Sequence, residues 1–450
     1  MLKAIEFTKS GAYKEALKLC KKIKPKNLNN AVYFNVVGIV LRRLEFFDEA
    51  MKYSKRALQI DENMVAAKMN IATIELQKGK IEESIKSLEV VVRENPAYQE
   101  AKANLALAYK NIGKVAVALN IYRELDFRAP WSLKAKLNYG ITLVSSGHFM
   151  EGWRYYEYRW KVSPGNKTTW PFQDKPVWKG ERGKRVVLWK EQGIGDDILF
   201  LSLVKEVKAM CSSLSVYVDP RLASLCRRAM PEIDFVKDVE ALQKIECHYH
   251  LPLGSVPGLI RNDISDFDRS VKGFFEVDPQ RVEAIRDELN LAGKTVIGIS
   301  WRSFNSLNKT KKSIQLRDME RIFSDLDVVL VNLQYGDVDD EIRAFKEETG
   351  IDVLQCASVD NREDLDGLAA LIEACDLVVS ITNVTVHMAG ALAKETWVLL
   401  PYVANFWWLL ERKDSVWYPS LTLYRQPVLD DWDSVYVSMR QDLQERLQCN

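Results

Sequence analysis

Histidine is scarce, cysteine is unpaired, and no apolar run in the 450-residue chain approaches the length of a membrane span. The seven cysteines are odd in number, scattered and without a CxxC pair, which excludes a disulfide framework and a zinc ribbon and fits reduced thiols. Of the four histidines, only His248 and His250, beside Cys247, lie close together. Their string CHYHLP alternates as a strand does and offers no second ligand pair, so core or rim positions are expected rather than zinc. Charge is balanced: 63 Lys and Arg stand against 62 Asp and Glu, which excludes a nucleic-acid-sized basic surface and an acidic tail. Met1 leads straight into an amphipathic helix with no signal-like segment, so a cytoplasmic location is expected. What remains is ordinary soluble composition, 47% hydrophobic and 28% charged, in a length that suits about three domains.

The first third repeats. On a 34-residue period small residues align at Ala4, Gly38, Ala72, Ala106 and Gly140, and again at Ala16, Ala50, Ser84, Ala118 and Gly152. A turn column runs Gly11, Glu45, Gly79, Gly113, Gly147, followed two positions on by Tyr13, Phe47, Ile81, Val115 and Phe149, while Pro96, Pro130 and Pro164 close repeats. Small residues belong where two helices cross closely, and large ones fill the gap between successive pairs. The pattern resembles the tetratricopeptide repeat, in five copies over residues 1–163, an α-solenoid whose groove implies a protein partner. The string EGWRYYEYRW ends the array with Trp153, Tyr155, Tyr156, Tyr158 and Trp160, too aromatic for a solvated cap and expected to dock on the next domain.

Beyond a linker at 164–182, apolar strand-like runs alternate with amphipathic helical stretches, which predicts parallel sheets covered on both faces. Two halves are expected, at 183–275 and 276–450, the second with closing helices. The first opens on RVVLWKEQGIGDDILF, read as strand, tight loop and helix. Gly193 and Gly195 turn the chain out of the strand, and Asp196 falls at the helix start, as a cap or as a carboxylate at the mouth of a crevice. A dinucleotide fingerprint is disfavoured, because Ile198 replaces its third glycine and Asp196 would repel a pyrophosphate.

In the second half, DLVVSI runs into Thr382, Asn383, Val384, Thr385 and, one turn on, His387. A helix start with hydroxyls at Thr382 and Thr385 forms a preset anion site, and His387 reads as a phosphate ligand or a core histidine. Gly390 lets that helix lie close to its sheet. Arg302 follows TVIGIS and is placed for a phosphate contact, with Lys309, Lys311 and Lys312 in the loop beyond it. Gln334, Tyr335 and Gly336 end another strand at the same rim. Phe406, Trp407 and Trp408 are packing residues or a stacking wall for a base. The DLD string at 364–366 opens a helix, so capping explains it better than metal binding.

Taken in order, PVWKGERGKRVVLWKEQGIGDDILF, SWRSF, LQYGD, DLDGLAALIEACDLVVSITNVTVHMAGALAKETWVLLP and WWLLERKDSVWYP resemble the carboxyl part of bacterial tetratricopeptide proteins that is similar to lipopolysaccharide heptosyltransferases. Flagellin-type protein glycosyltransferases are built the same way. The resemblance implies a GT-B fold of two Rossmann-like halves and an inverting, metal-independent transfer of a sugar from a nucleotide-activated donor to a protein Ser or Thr, possible acceptors including flagellin. It implies Asp196 as catalytic base, Gly193 and Gly195 on the acceptor side, and nucleotide-sugar contacts at Arg302, Lys312, Gln334, Asn383, Thr385, His387, Gly390 and Trp408. No cofactor beyond the nucleotide sugar is expected. Two other readings stay open: a repeat scaffold carrying a degenerate transferase domain, for which the Thr382-Asn383 pair replacing the family's acidic residue and Thr is the sequence sign, and an enzyme whose acceptor is a glycan or lipid-linked sugar.

Overall fold

A computed structural model describes residues 1–23, 29–128, 132–162, 170–267, 273–303 and 313–448. The chain forms two compact units, Met1–Thr142 and Leu143–Asn450.

Helical hairpins build the first unit and run on into the second: α1 (Leu2–Lys9) and α2 (Tyr13–Ile23), α3 (Ala31–Arg43) and α4 (Phe47–Ile60), α5 (Val65–Gln77) and α6 (Ile81–Glu94), α7 (Gln99–Asn111) and α8 (Val115–Arg123), then α9 (Leu133–Ser145) and α10 (Phe149–Tyr156). The second helices start at 13, 47, 81, 115 and 149, each 34 residues after the last. This is a tetratricopeptide-like helical array. The unit boundary falls inside α9, well before the linker read from the sequence at 164–182.

The columns acquire physical roles. Ala4, Ala72, Ala106, Ala16, Ala50, Ser84 and Ala118 are fully buried where helices cross. A Cβ at Gly38 would come within 2.5 Å of the Ser54 hydroxyl. Gly11, Gly79, Gly113 and Gly147 all take φ between 76° and 83°, and Glu45 holds the same left-handed turn at φ 66°. That conformation joins the two helices of each hairpin, and it favours glycine because a side chain there crowds the backbone.

In the second unit, α10 is bound into the α/β part of the chain. Trp153 stacks on Trp407 at 6.0 Å and donates from its indole nitrogen to the Arg261 carbonyl at 2.7 Å. The Arg159 guanidinium pairs with Glu191 at 2.6 Å, and Trp160 packs against Trp170 and Trp189.

That part contains two all-parallel sheets. The first has β1 (Arg185–Trp189), β2 (Ser213–Tyr217), β3 (Asp234–Val236) and β4 (Tyr249–Pro252) in the order β3-β2-β1-β4. The second has β5 (Val296–Ser300), β6 (Val329–Asn332), β7 (Val353–Leu354), β8 (Leu377–Ile381), β9 (Thr396–Leu400) and β10 (Leu421–Arg425) in the order β10-β9-β8-β5-β6-β7. Nine of these strands answer to apolar runs in the sequence, and β10, in SLTLYR, escapes that reading because its buried residues only alternate. The helix Trp432–Gln448 closes the second half, with Val435, Tyr436, Met439 and Leu443 in the same core as Ile297 and Leu377.

Buried strands on both faces explain the continuous apolar runs. Crossover helices return each chain end to the same edge, so the loops after β1, β5, β6 and β8 gather at the carboxyl ends of the strands.

Candidate functional site

A cavity of about 560 Å³ opens there, between the two halves of the second unit. From the first half it is lined by Gly193, Ile194, Gly195, Asp196 and Arg221. The second half contributes Tyr335 and Gly336 after β6, Asn361 and Arg362, Thr382 and Asn383 after β8, and His387 and Trp408.

Two eight-residue helices, Ile194–Leu201 and Val384–Ala391, start on this cavity. They approach so closely that a Cβ at Gly195 would stand 2.9 Å from the His387 ring. Glycine is required at that position by the contact, since its φ is not in the left-handed range. His387 is 8% exposed, stacks on Trp408 at 5.5 Å and meets the Tyr418 hydroxyl through Nδ1 at 3.2 Å. It is thus packed in the core and lines the cavity at once.

Asp196 lies in the first turn of its helix, and its Oδ1 accepts from the Trp407 indole at 3.2 Å. Gly193 stands at the N-cap of that helix and has no side chain to bond its first amides. Asp197 points the other way. It is fully buried, both its oxygens lack a hydrogen-bond partner, and burial pushes its carboxyl up to about 8, opposed by the nearby Lys190 charge. The Lys190 ammonium bonds Asp219 at 3.1 Å, and Asp219 in turn accepts from the Arg221 guanidinium at 2.9 Å. Burial alone would raise Asp219, but the bonds from Arg221 and Lys190 outweigh it and hold the carboxylate at about 2. Arg221 also donates to the Arg362 carbonyl at 3.0 Å, tying the two halves at the cavity rim.

The remaining sequence candidates divide. Asn383 lines the cavity but spends its amide on the fold: it accepts from the Thr385 amide at 3.0 Å, capping the helix, and donates to the Ser300 hydroxyl at 2.6 Å. Thr385 does not line the cavity; fully buried, it donates to the Leu333 carbonyl at 3.3 Å, so its hydroxyl is not the anion contact expected of it. The free hydroxyl is that of Thr382, which lines the cavity, is 8% exposed and leaves its buried Oγ1 without a partner. Arg302 also falls outside the lining. Its guanidinium pairs with Glu341 at 3.1 Å and reaches the Asp337 carbonyl at 3.3 Å. Gln334, 1% exposed, accepts from the Ser300 hydroxyl and from the Trp301 and Arg302 amides, clamping β5 to β6 instead of facing a ligand. Gly390 faces the Tyr418 ring, where any Cβ would collide, and serves packing alone. Lys312, with Lys309 and Lys311, lies outside the described residues.

Trp407, fully buried, carries the hydrogen bond to Asp196, whereas Trp408 supplies the wall. Arg221, Arg362 and Asn361 were not legible as cavity residues, since each sits in a polar turn indistinguishable in sequence from a solvated loop. His250 accepts from the Trp189 indole at 3.0 Å, and no group of metal-ligating side chains exists among the described residues. Asp364 caps its helix by accepting from the Gly367 amide and pairs with Arg281, and Asp366 pairs with Arg228 at 2.8 Å.

The architecture defines a helical-repeat protein with a parallel α/β unit. The family model of the Bacterial transcriptional activator domain matches residues 42–129 of the array. Protein FlbA of Caulobacter vibrioides is 28% identical over 424 residues, covering 89% of this chain and 70% of its own. Among solved structures, the thermophilic TPR protein TTC0263 of Thermus thermophilus shares 16% identity at TM-score 0.33, covering 37% of this chain and 90% of that one. MamA of Desulfovibrio magneticus shares 20% at TM-score 0.28, covering 37% and 92%. No helix among the described residues is long and apolar enough to cross a membrane.

Proposed function

We infer that the α/β unit is a glycosyltransferase of the GT-B kind, moving a sugar from a nucleotide-activated donor to a Ser or Thr of a protein held by the repeats. The observation that carries this reading is one carboxylate, Asp196, and one helix start with the unpartnered Thr382 hydroxyl beside it, facing a single cavity from opposite halves.

Each group has a task in such a transfer. Asp196 takes the proton of the acceptor hydroxyl as its oxygen attacks the anomeric carbon. The bond from that carbon to the donor phosphate breaks, and its electron pair leaves with the phosphate. The amides opening the Val384 helix, the Thr382 hydroxyl and the Arg221 and Arg362 guanidinium groups supply positive potential where that charge develops. Trp408 and the acceptor oxygen of Asn361, buried and unpartnered, suit the flat base and its edge.

A thermal-shift panel of nucleoside mono- and diphosphates and nucleotide sugars tests the reading, because a ligand that binds only the folded chain raises its melting temperature. One nucleotide and its sugar conjugate should stabilise the protein, and Asp196→Asn should keep that shift while transfer falls by about 10²–10⁴-fold. Silence across the whole panel from a folded protein would favour the repeat-scaffold alternative.

A further inference from the structure

The loop that leads from β1 to Asp196 is held from behind by the last helices of the repeat pattern, α10 and the short helix Arg159–Val162. Glu191 and Gln192 are its grips. The Arg159 guanidinium donates to Glu191 from Nε at 3.1 Å and from Nη2 at 2.6 Å, with the two side chains 12% and 6% exposed. It also donates to Glu157 at 2.6 Å and to the Ser255 hydroxyl at 2.7 Å, and that hydroxyl in turn donates to Glu157 at 2.8 Å. The Gln192 side-chain amide donates to the Tyr156 hydroxyl at 2.9 Å. Gly254 closes in beside both grips: a Cβ there would collide with the Glu191 carboxylate and stand 2.6 Å from the Gln192 amide nitrogen. A buried ion pair resists separation, because each partner would be left as an uncompensated charge. The loop is thereby fastened to the end of the array.

A second route runs from α10 to the same carboxylate. Trp407, the indole that donates to Asp196 at 3.2 Å, stacks on Trp153 at 6.0 Å and meets the Tyr156 ring edge-on at 6.1 Å. Phe406 lies against Tyr156 at 5.5 Å. Tyr156, 5% exposed, belongs to both routes: its hydroxyl holds the loop before Asp196, and its ring packs on the indole that bonds Asp196.

We propose that Tyr156 is a positioning residue for Asp196, with Arg159 fixing the same loop, so that the end of the helical array belongs to the site. The proposal rests on Asp196 being the base of the transfer inferred above. A base must meet the attacking hydroxyl in one geometry, and a displacement of about 1 Å is enough to slow such a reaction by up to about 10²-fold.

Tyr156→Phe and Gln192→Leu each remove the bond between α10 and the loop, and Tyr156→Phe keeps its ring in the aromatic cluster. The indole N–H signal of Trp407 in proton-nitrogen correlation spectra of the full chain, assigned with Trp407→Phe, reports the bond to Asp196. Asp196→Ala marks its place when that bond is gone. Both variants should move the signal upfield toward that place, and the double variant should move it no further than either single one, since both cut the same link. With the donor that the thermal-shift panel identifies, turnover of Tyr156→Phe at saturating donor should fall about tenfold while nucleotide affinity is unchanged. A signal that stays at the parent position in both variants overturns the proposal even if their melting temperatures drop, because packing alone changes stability without moving Asp196. The spectral test needs no donor, so silence of the nucleotide panel sinks the transferase reading by itself.

Discussion

The Trp407 indole donates to Asp196 at 3.2 Å, joining residues 211 positions apart in sequence across the cavity. Trp407 is also the centre of an aromatic cluster with Trp153, Phe200 and Trp417, so the carboxylate is positioned from a packed core. Trp407→Phe removes the donor while keeping a ring in the cluster. Transfer by that variant should fall about tenfold, against the far larger loss in Asp196→Asn, with nucleotide-induced thermal shifts unchanged.

Thr382→Val is nearly isosteric and removes a hydroxyl that bonds nothing in the protein. Melting of the free protein should stay within about 0.5 kcal/mol of the parent, whereas the affinity of the nucleotide that stabilises it should drop about tenfold by calorimetry. An unchanged affinity would remove Thr382 from the site.

Asp197 gives the stability a pH dependence of definite sign. Its carboxyl is raised from 3.8 to about 8 by burial, so between those values the folded chain holds a proton that the unfolded chain releases. Stability should therefore decline as pH rises through this window, with a slope of at most about 1.4 kcal/mol per pH unit from this group. Asp197→Asn should flatten that decline, as read by urea unfolding at a series of pH values.

Gly79 and Gly390 separate two uses of glycine. At Gly79, φ is +79° and nothing lies within 4 Å of a Cβ, so Gly79→Ala should cost about 1 kcal/mol of array stability from backbone strain alone. At Gly390 the backbone is helical and the obstacle is the Tyr418 ring. Gly390→Ala should cost about 1–3 kcal/mol and, by displacing the partner of His387, also weaken nucleotide binding, which thermal melts with and without ligand separate.

The array was legible because its constraint is local and repeated: every 34 residues the same helix crossing demands a small residue and the same turn demands a left-handed one. The exception proves the physics, since Glu45 takes the turn conformation at the one place where the column lacks glycine. Parallel strands were legible for a related reason, burial on both faces, and β10 was lost where that signal faded to alternation. Side-chain direction was not legible. Asp196 and Asp197 are neighbours of the same type, yet one faces the cavity and the other the core. Arg302 stands at a strand end as expected, but Glu341 turns it away, while Arg221 arrives from the other half.

The sequence by itself therefore determined the period, the helical array, the alternation of strand and helix, and the glycine-aspartate turn, all of which depend on spacing along the chain. Only the tertiary structure decided which hydroxyl, which carboxylate and which guanidinium meet in the cavity, because each choice depends on partners far away in sequence that satisfy or leave unsatisfied a polar group once water is excluded.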